Sequence, residues 1–405
     1  MTPHPMTPQL AKRLASTPMA GTVQMTIKAR AMRAEGIDVI PLTIGEPDFA
    51  SPPHAIEAAH AAALRGETKY PAQDGVPALK QAIQRKFNRD AGLDFALDEI
   101  MVSNGGKQVI FNALMATVDP GDQVIVPAPY WGAYPLMTKV VGGEPVIVAC
   151  PQNNGFKLRA EDLEAAITPR TKWVMLNSPN NPTGTAMNAD ELRELGTVLE
   201  RHPHVWIMSD DMYEHLVFDG QHATMAAAMP SLRDRTLTIS GVSKTYAMTG
   251  WRIGFGAGPR ALIKAMVTMQ GHVSAGVSTI GQAAAAAALD GPQDAVPEMQ
   301  AAYKRRRDMV VAALNRAPGI QCHKPEGAFY VFPSVAGCLG KTTPAGRRLD
   351  TDEDFAMAVL EEAHVALVAG TNFGMSPYVR ISYATGDAAL ETACDRIVHF
   401  CESLH

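Results

Sequence analysis

The residues predict an α/β protein: a large domain on a mostly parallel, doubly wound sheet flanked by helices, and a smaller α/β domain beside it. Three observations carry that expectation. Short apolar, β-rich runs alternate with helical stretches in the middle of the chain; unusual polar residues follow three consecutive runs; and the texture changes past about residue 290. A length of 405 residues agrees, because it exceeds what one compact core of ordinary size holds.

Taken in order, the opening MTPHPMTPQLAKRL carries prolines and no apolar core, which predicts a loose tail leading into a helix and no secretory signal. Leu79, Ile83 and Phe87 recur every four residues and predict an amphipathic helix over 78–93. The β-rich runs follow: Gln123–Pro127, Pro145–Cys150, Lys172–Leu176, Val205–Met208, Thr236–Ile239 and Arg252–Gly256. Several are apolar throughout, as strands covered on both faces are. Their alternation with helical stretches is the pattern of parallel crossovers. Beyond them come a helical stretch over 292–316, "GAFYVFP" at 327–333 and a Gly/Thr-rich loop over 337–345. A helix over 352–364 and the strand-like "YVRISYA" at 378–384 complete the second unit. The expected division is a large domain over 46–290 and a small one formed by 1–45 with 291–405.

Composition narrows the function classes. Forty-six per cent hydrophobic and 19% charged residues describe an ordinary globular protein. The formal net charge of −5 and the lack of a dense basic stripe argue against a nucleic-acid partner; the run Arg305-Arg306-Arg307 lies in a helical pattern and is most simply a solvated face. No run approaches the roughly 18 apolar residues of a membrane span. Five cysteines (150, 322, 338, 394 and 401) are scattered without CxxC spacing, so a cytoplasmic protein with reduced thiols and no metal framework is expected.

In doubly wound sheets, ligands collect outside the carboxyl ends of the strands. Lys172–Leu176 runs into "NSPNNPTG", Val205–Met208 into "SDDMY" and Thr236–Ile239 into "SGVSK". Asn181, Asp210 with Tyr213, and Lys244 are thus delivered to one rim. Any one of these could be a turn, a cap or a surface lysine at a strand end; the three together are poorly explained that way. A lysine there is costly to desolvate, and such lysines act as amine nucleophiles with lowered pKa values.

With "SKTYAMTGWRIG", "NSPNNPTG", "SDDMYEHL", "NGGKQ", "IGEPDF" and "VRISYA" in this order, the chain resembles the class I/II aminotransferases, pyridoxal phosphate enzymes of fold type I, from about residue 20 to 400. The likeness is closest to the bacterial aspartate/prephenate branch. It implies an amino-group transfer from an L-amino acid, an acidic or aromatic donor such as aspartate, to a 2-oxo acid such as 2-oxoglutarate, in a ping-pong cycle. Lys244 would hold the cofactor as a Schiff base and then act as the free base beside the reacting carbon. Asp210 would keep the ring nitrogen protonated, while Asp211, by strand alternation, turns to the other face. Asn181 and Tyr213 match the partners of the cofactor's 3-oxygen.

Gly106 and Lys107, where the "NGGKQ" turn opens the apolar helix "VIFNALMA", match a phosphate site at a helix N-terminus. Arg252 matches the phosphate arginine. Ser243 is a further hydroxyl; the position three before the lysine, often serine in relatives, is Gly241, with Ser240 displaced by one. Trp131 in "PYWGAY" matches the stacking aromatic. Arg380 matches the arginine for the substrate α-carboxylate and Gly45 the backbone contact opposite it. Tyr70 in "TKYPAQDG" matches a tyrosine reaching the neighbouring subunit's cofactor phosphate, which implies a homodimer with shared sites.

For the substrate side chain, Lys107 resembles the lysine that faces a distal carboxylate, and Thr22 matches an N-terminal threonine of the same branch. Pro18 stands where that branch has a lysine. A fold-type-I lyase or synthase would share Lys244, Asp210 and Arg380, so that alternative stays open. A cofactor-binding transcription regulator is not expected, since only about 40 residues precede "IGEPDF" and none reads as a helix-turn-helix.

Overall fold

The computed structural model describes residues 21–405 together with Ala11 and Arg13. The proline-rich opening and the Pro18 position lie outside the described residues. Among the described residues there are twelve strands, β1 to β12 in chain order. Seven form the central sheet: β2 (Ile100–Ser103), β3 (Gln123–Ala128), β4 (Glu144–Ala149), β5 (Thr171–Asn177), β6 (Trp206–Asp210), β7 (Thr236–Gly241) and β8 (Gly254–Ala257), in the order β2-β8-β7-β6-β5-β3-β4. All of their pairings are parallel except the two made by β8. The remaining five lie elsewhere. β1 (Ile40–Pro41) pairs in parallel with β10 (Val365–Ala366), and β11 (Val368–Ala369), β12 (Val379–Ser382) and β9 (Tyr330–Val331) form an antiparallel sheet.

The fully apolar runs are explained by two cores. Along β5, Trp173 and Met175 join one apolar layer with Val109, Leu114 and Met266, whereas Val174 and Leu176 join the opposite layer with Leu192, Leu195 and Leu199. Successive side chains point to opposite faces of a strand, so a sheet covered on both sides needs no polar position. A third core gathers Ile40 and Leu42, the inner face of the helix Ala295–Leu314, β9, β12 and the helix Asp387–Glu402. We propose that this core belongs to a small domain formed by residues up to 45 together with 291–405, and that 46–290 form the large domain.

The arginine run is not a solvated face: Arg306 and Arg307 are buried, paired with Asp48 and Asp387 and with Asp219. Two strands also differ from expectation. The run Arg252–Gly256 starts its strand only at Gly254, because Arg252 takes a left-handed conformation (φ 57°). That residue turns the chain so that β8 enters against its neighbours. The strand β2, too short to be read from its sequence, pairs with β8 at the sheet edge.

A close approach there shapes the later site. A Cβ built on Gly254 would lie 2.2 Å from the Gly106 nitrogen and 2.4 Å from the Gly105 carbonyl carbon. The backbone turn that opens the helix Gly106–Thr117 therefore rests directly on β8. Gly254→Ala should destabilise the protein by roughly 1–3 kcal/mol, read by urea unfolding, because backbone cannot yield as a side chain does. Gly250→Ala, where an added Cβ meets nothing within 4 Å, should stay within about 0.5 kcal/mol.

Candidate active site

The carboxyl ends of β5, β6 and β7 open into a cavity of about 580 Å³. Register explains the convergence: Asn177 pairs with Asp210, and Asp210 with Ile239, so the polar segments leave the sheet side by side. Every residue expected at the site lines this cavity except Tyr70, which is 93% exposed on a separate groove with Ser274–Ile280.

One corner is built for an anion. Gly105 has φ +87°, and a Cβ on it would meet the Arg252 Nη2 at 2.5 Å. Only glycine lets that guanidinium lie against the turn. Arg252 is held there by bonds from Nη1 to the Thr249 carbonyl (2.9 Å) and from Nη2 to the Asn104 carbonyl (3.1 Å). The next residue, Gly106, starts a helix whose first N–H groups have no intrahelical acceptor. Lys107 stands 4.9 Å from the Trp131 ring. Burial pulls its ammonium below the ordinary range, and repulsion from Arg252 adds to this. Ser243 lines the cavity, whereas the Ser240 hydroxyl donates to the Glu214 carboxylate at 2.5 Å.

Lys244 and Asp210 occupy the centre. The Lys244 amine donates to the Gly45 carbonyl. Its pKa is lowered to about 8, chiefly by burial; Glu46 opposes the shift, and the cations Arg380 and Arg252 add to it. Asp210 Oδ2 accepts from the Tyr134 hydroxyl at 2.5 Å. Burial pushes this carboxyl up to about 6 against the lowering effect of that bond, and the charge of Asp211 pushes it further. Asp211 lies outside the cavity, bonded to the Ser209 hydroxyl at 2.9 Å, as strand alternation requires.

Arg380 is buried. Nη1 donates to Asn181 Oδ1 (3.0 Å) and Nη2 to the Thr43 carbonyl (2.5 Å). Its Nε has no hydrogen-bond partner among the described residues. The guanidinium lies 4.8 Å from the Tyr330 ring and 4.9 Å from the Phe373 ring. The Tyr213 hydroxyl is 2.9 Å from that of Tyr330. Thr22, in the helix Gly21–Ala34, and Gly45 close the same side.

Sequence reasoning missed Tyr134, Asn177, Tyr330 and Phe373. Asn177 donates to the Asp210 carbonyl and accepts from the Asn181 N–H, both at 2.9 Å. Tyr134 closes the very motif that supplied Trp131, and Tyr330 lies in "GAFYVFP"; in each case the motif was visible but its partner was not.

A cavity lined by Lys107, Lys244, Arg252 and Arg380 against one carboxylate, Asp210, suits a multiply anionic occupant. Residues 37–397 match the family of class I and II aminotransferases, and the chain belongs to that family. It is a pyridoxal-phosphate-dependent aminotransferase acting on amino acids and 2-oxo acids. It is 54% identical to the aspartate/prephenate aminotransferase of Cereibacter sphaeroides over 98% of this chain and 99% of that one. The crystal structure of the aspartate aminotransferase from Rhizobium meliloti superposes with a TM-score of 0.96 at 53% identity, covering 98% and 100% of the two chains. The Thermus thermophilus aspartate aminotransferase with maleate gives 0.91 at 38% identity, with 97% and 100% coverage. The donors at Gly105–Lys107, Ser243 and Arg252, and the buried carboxyl of Asp210, fit the phosphate and ring nitrogen of this cofactor.

In the cofactor-free protein the Lys244 amine should be neutral above a pH near 8. Acetylation at residue 244, followed by mass spectrometry, should therefore rise through that pH and level off, while exposed lysines keep rising to about pH 10.4. A midpoint at the ordinary lysine value would contradict the desolvated amine.

Proposed function

We propose that the chain moves the amino group of a dicarboxylic L-amino acid, aspartate foremost, to a 2-oxo acid such as 2-oxoglutarate in a ping-pong cycle. The observation that carries this reading is the distribution of cations in one cavity: with Arg252 set against the Gly105 turn, Arg380 and Lys107 remain for two carboxylates. The bound cofactor supplies an electrophilic carbon for the amine and a ring that accepts the electron pair released at the substrate Cα.

The protein's own residues do the rest. Gly106, Ser243 and Arg252 would hold the phosphate, and Trp131 would stack on the ring. Asp210, oriented by Tyr134, would hold the proton at the ring nitrogen, and Asn181 and Tyr213 would bond the 3-oxygen. Lys244 would carry the cofactor and, as a neutral amine once substrate displaces it, would serve as the base for the proton at the substrate Cα. Arg380, its Nε free of other partners among the described residues, binds the α-carboxylate opposite Gly45, which fixes the Cα bond to be broken. Lys107 meets the distal carboxylate, with Thr22 beside it.

A larger donor is the second reading. Ile110, Leu136, Met137 and Val140 give the same cavity an apolar wall, and the Cereibacter relative's name includes prephenate. We further propose a homodimer in which exposed Tyr70 reaches the partner's phosphate site, working in the cytoplasm. Among the described residues no helix is long and apolar enough to cross a membrane, and all five cysteines are free thiols.

Borohydride reduction of the yellow holoenzyme should fix the pyridoxyl group on the peptide containing residue 244; label on another lysine overturns its role. Mass balance tests the reaction itself. Stoichiometric glutamate from aspartate and 2-oxoglutarate supports transfer, whereas pyruvate, ammonia and a thiol formed from an S-substituted cysteine without an acceptor would mean a lyase.

Lys107→Ala should lower kcat/KM for aspartate by roughly 10- to 150-fold relative to alanine, the effect of losing a charge-assisted bond of about 1.5–3 kcal/mol. If Lys107 serves the phosphate alone, all donors fall together and cofactor is lost more readily.

A further inference from the structure

Behind the cavity, on the other face of β6, lies a group of ionisable side chains that touches neither substrate nor cofactor. Asp211 is buried, with Oδ1 bonded to Ser209 and Oδ2 facing the His222 Nε2 at 3.8 Å. Among the described residues, neither that oxygen nor either ring nitrogen of His222 has a hydrogen-bond partner. The other charged groups acting on the imidazole are Glu214 and Lys86. These two are joined to each other, since the Lys86 ammonium donates to the Glu214 carboxylate, which also accepts from Ser240. Thr224 adds only a hydroxyl, 3.3 Å from that of Ser209. His222 is therefore left as the counterion of Asp211.

We propose that His222 is a positioning residue: its protonation compensates Asp211 and so sets how firmly Asp210, one residue back along the strand, carries negative charge toward the cofactor ring nitrogen. The inference rests on the reading of Asp210 as that nitrogen's partner. A like charge nearby disfavours ionisation, and an opposite charge restores it. Burial favours neutral His222, but the nearby charge of Asp211, with that of Glu214, outweighs it against the opposition of Lys86, and its pKa lies above the ordinary 6.5. Asp210 titrates at about 6. The imidazolium is thus present while Asp210 ionises; as pH rises through the His222 pKa, the charge of Asp211 is left uncompensated.

The test is a pH titration of the full-length protein by NMR, following the His222 ring and the Asp210 carboxyl carbon, with and without pyridoxal phosphate. In the cofactor-free wild type His222 should titrate above 6.5. His222→Gln should move the Asp210 midpoint up by on the order of one pH unit, His222→Lys should restore it, and Asp211→Asn should lower both midpoints. A purely packing role would leave Asp210 unmoved in folded His222→Gln, and that result, or a wild-type His222 midpoint at or below the ordinary value, overturns the inference. Should His222→Gln not fold, the wild-type histidine titration and Asp211→Asn decide the matter. With cofactor, the same substitutions should shift the pH dependence of its visible absorbance. Coupling in the cofactor-free protein without that spectral change would remove Asp210 as the ring partner and leave the coupling standing.

Discussion

The hydrogen-bonded register of β5, β6 and β7 is the constraint on which the site depends. With Asn177 opposite Asp210 and Asp210 opposite Ile239, the segments that follow leave the sheet at one level. Parallel strands end at a common edge, so residues far apart in sequence emerge as neighbours without a strained loop. Asn177 reinforces the alignment by bonding both the Asp210 carbonyl and the Asn181 N–H. A slip of one residue would exchange Asp210 with Asp211 and turn the wrong carboxyl toward the cavity.

The same edge gathers charge of one sign. Four cations and a single carboxylate line the cavity, and burial makes that expensive for each of them. The protein offsets the expense differently at each residue. Arg252 is seated against carbonyls at the Gly105 turn, Arg380 is paired with Asn181 and the Thr43 carbonyl between two aromatic rings, and Lys244 releases its proton more easily than an exposed lysine. What stability loses in bringing these groups together, binding regains when phosphate and carboxylates enter.

Asp210 shows why the layer behind the cavity matters. Its immediate partners are the Tyr134 hydroxyl and the Met212 N–H. Its charge is also set by Asp211, and through Asp211 by His222. The electrostatics of the site therefore extend through the thickness of the sheet, where the low dielectric screens charges poorly.

The sequence by itself determined the sheet, through apolar runs spaced by helices, and most of the rim, because Lys244, Asp210, Asn181 and Arg252 sit in local motifs whose spacing is a property of the chain. Only the tertiary structure decided which neighbours they meet. Ser243 lines the cavity while Ser240, in the same string "SGVSK", bonds Glu214, which Lys86 of the helix Pro77–Ala91 holds; only packing separates the two hydroxyls. Tyr134 reaches Asp210 across 76 positions of sequence, and Arg380 reaches Thr43 across 337. The reversed β8 depends on a left-handed turn at Arg252, where local preference gives no warning. Periodicity and turn chemistry act over a few residues and so can be read along a chain, whereas a hydrogen bond between distant residues exists only once packing has brought them together.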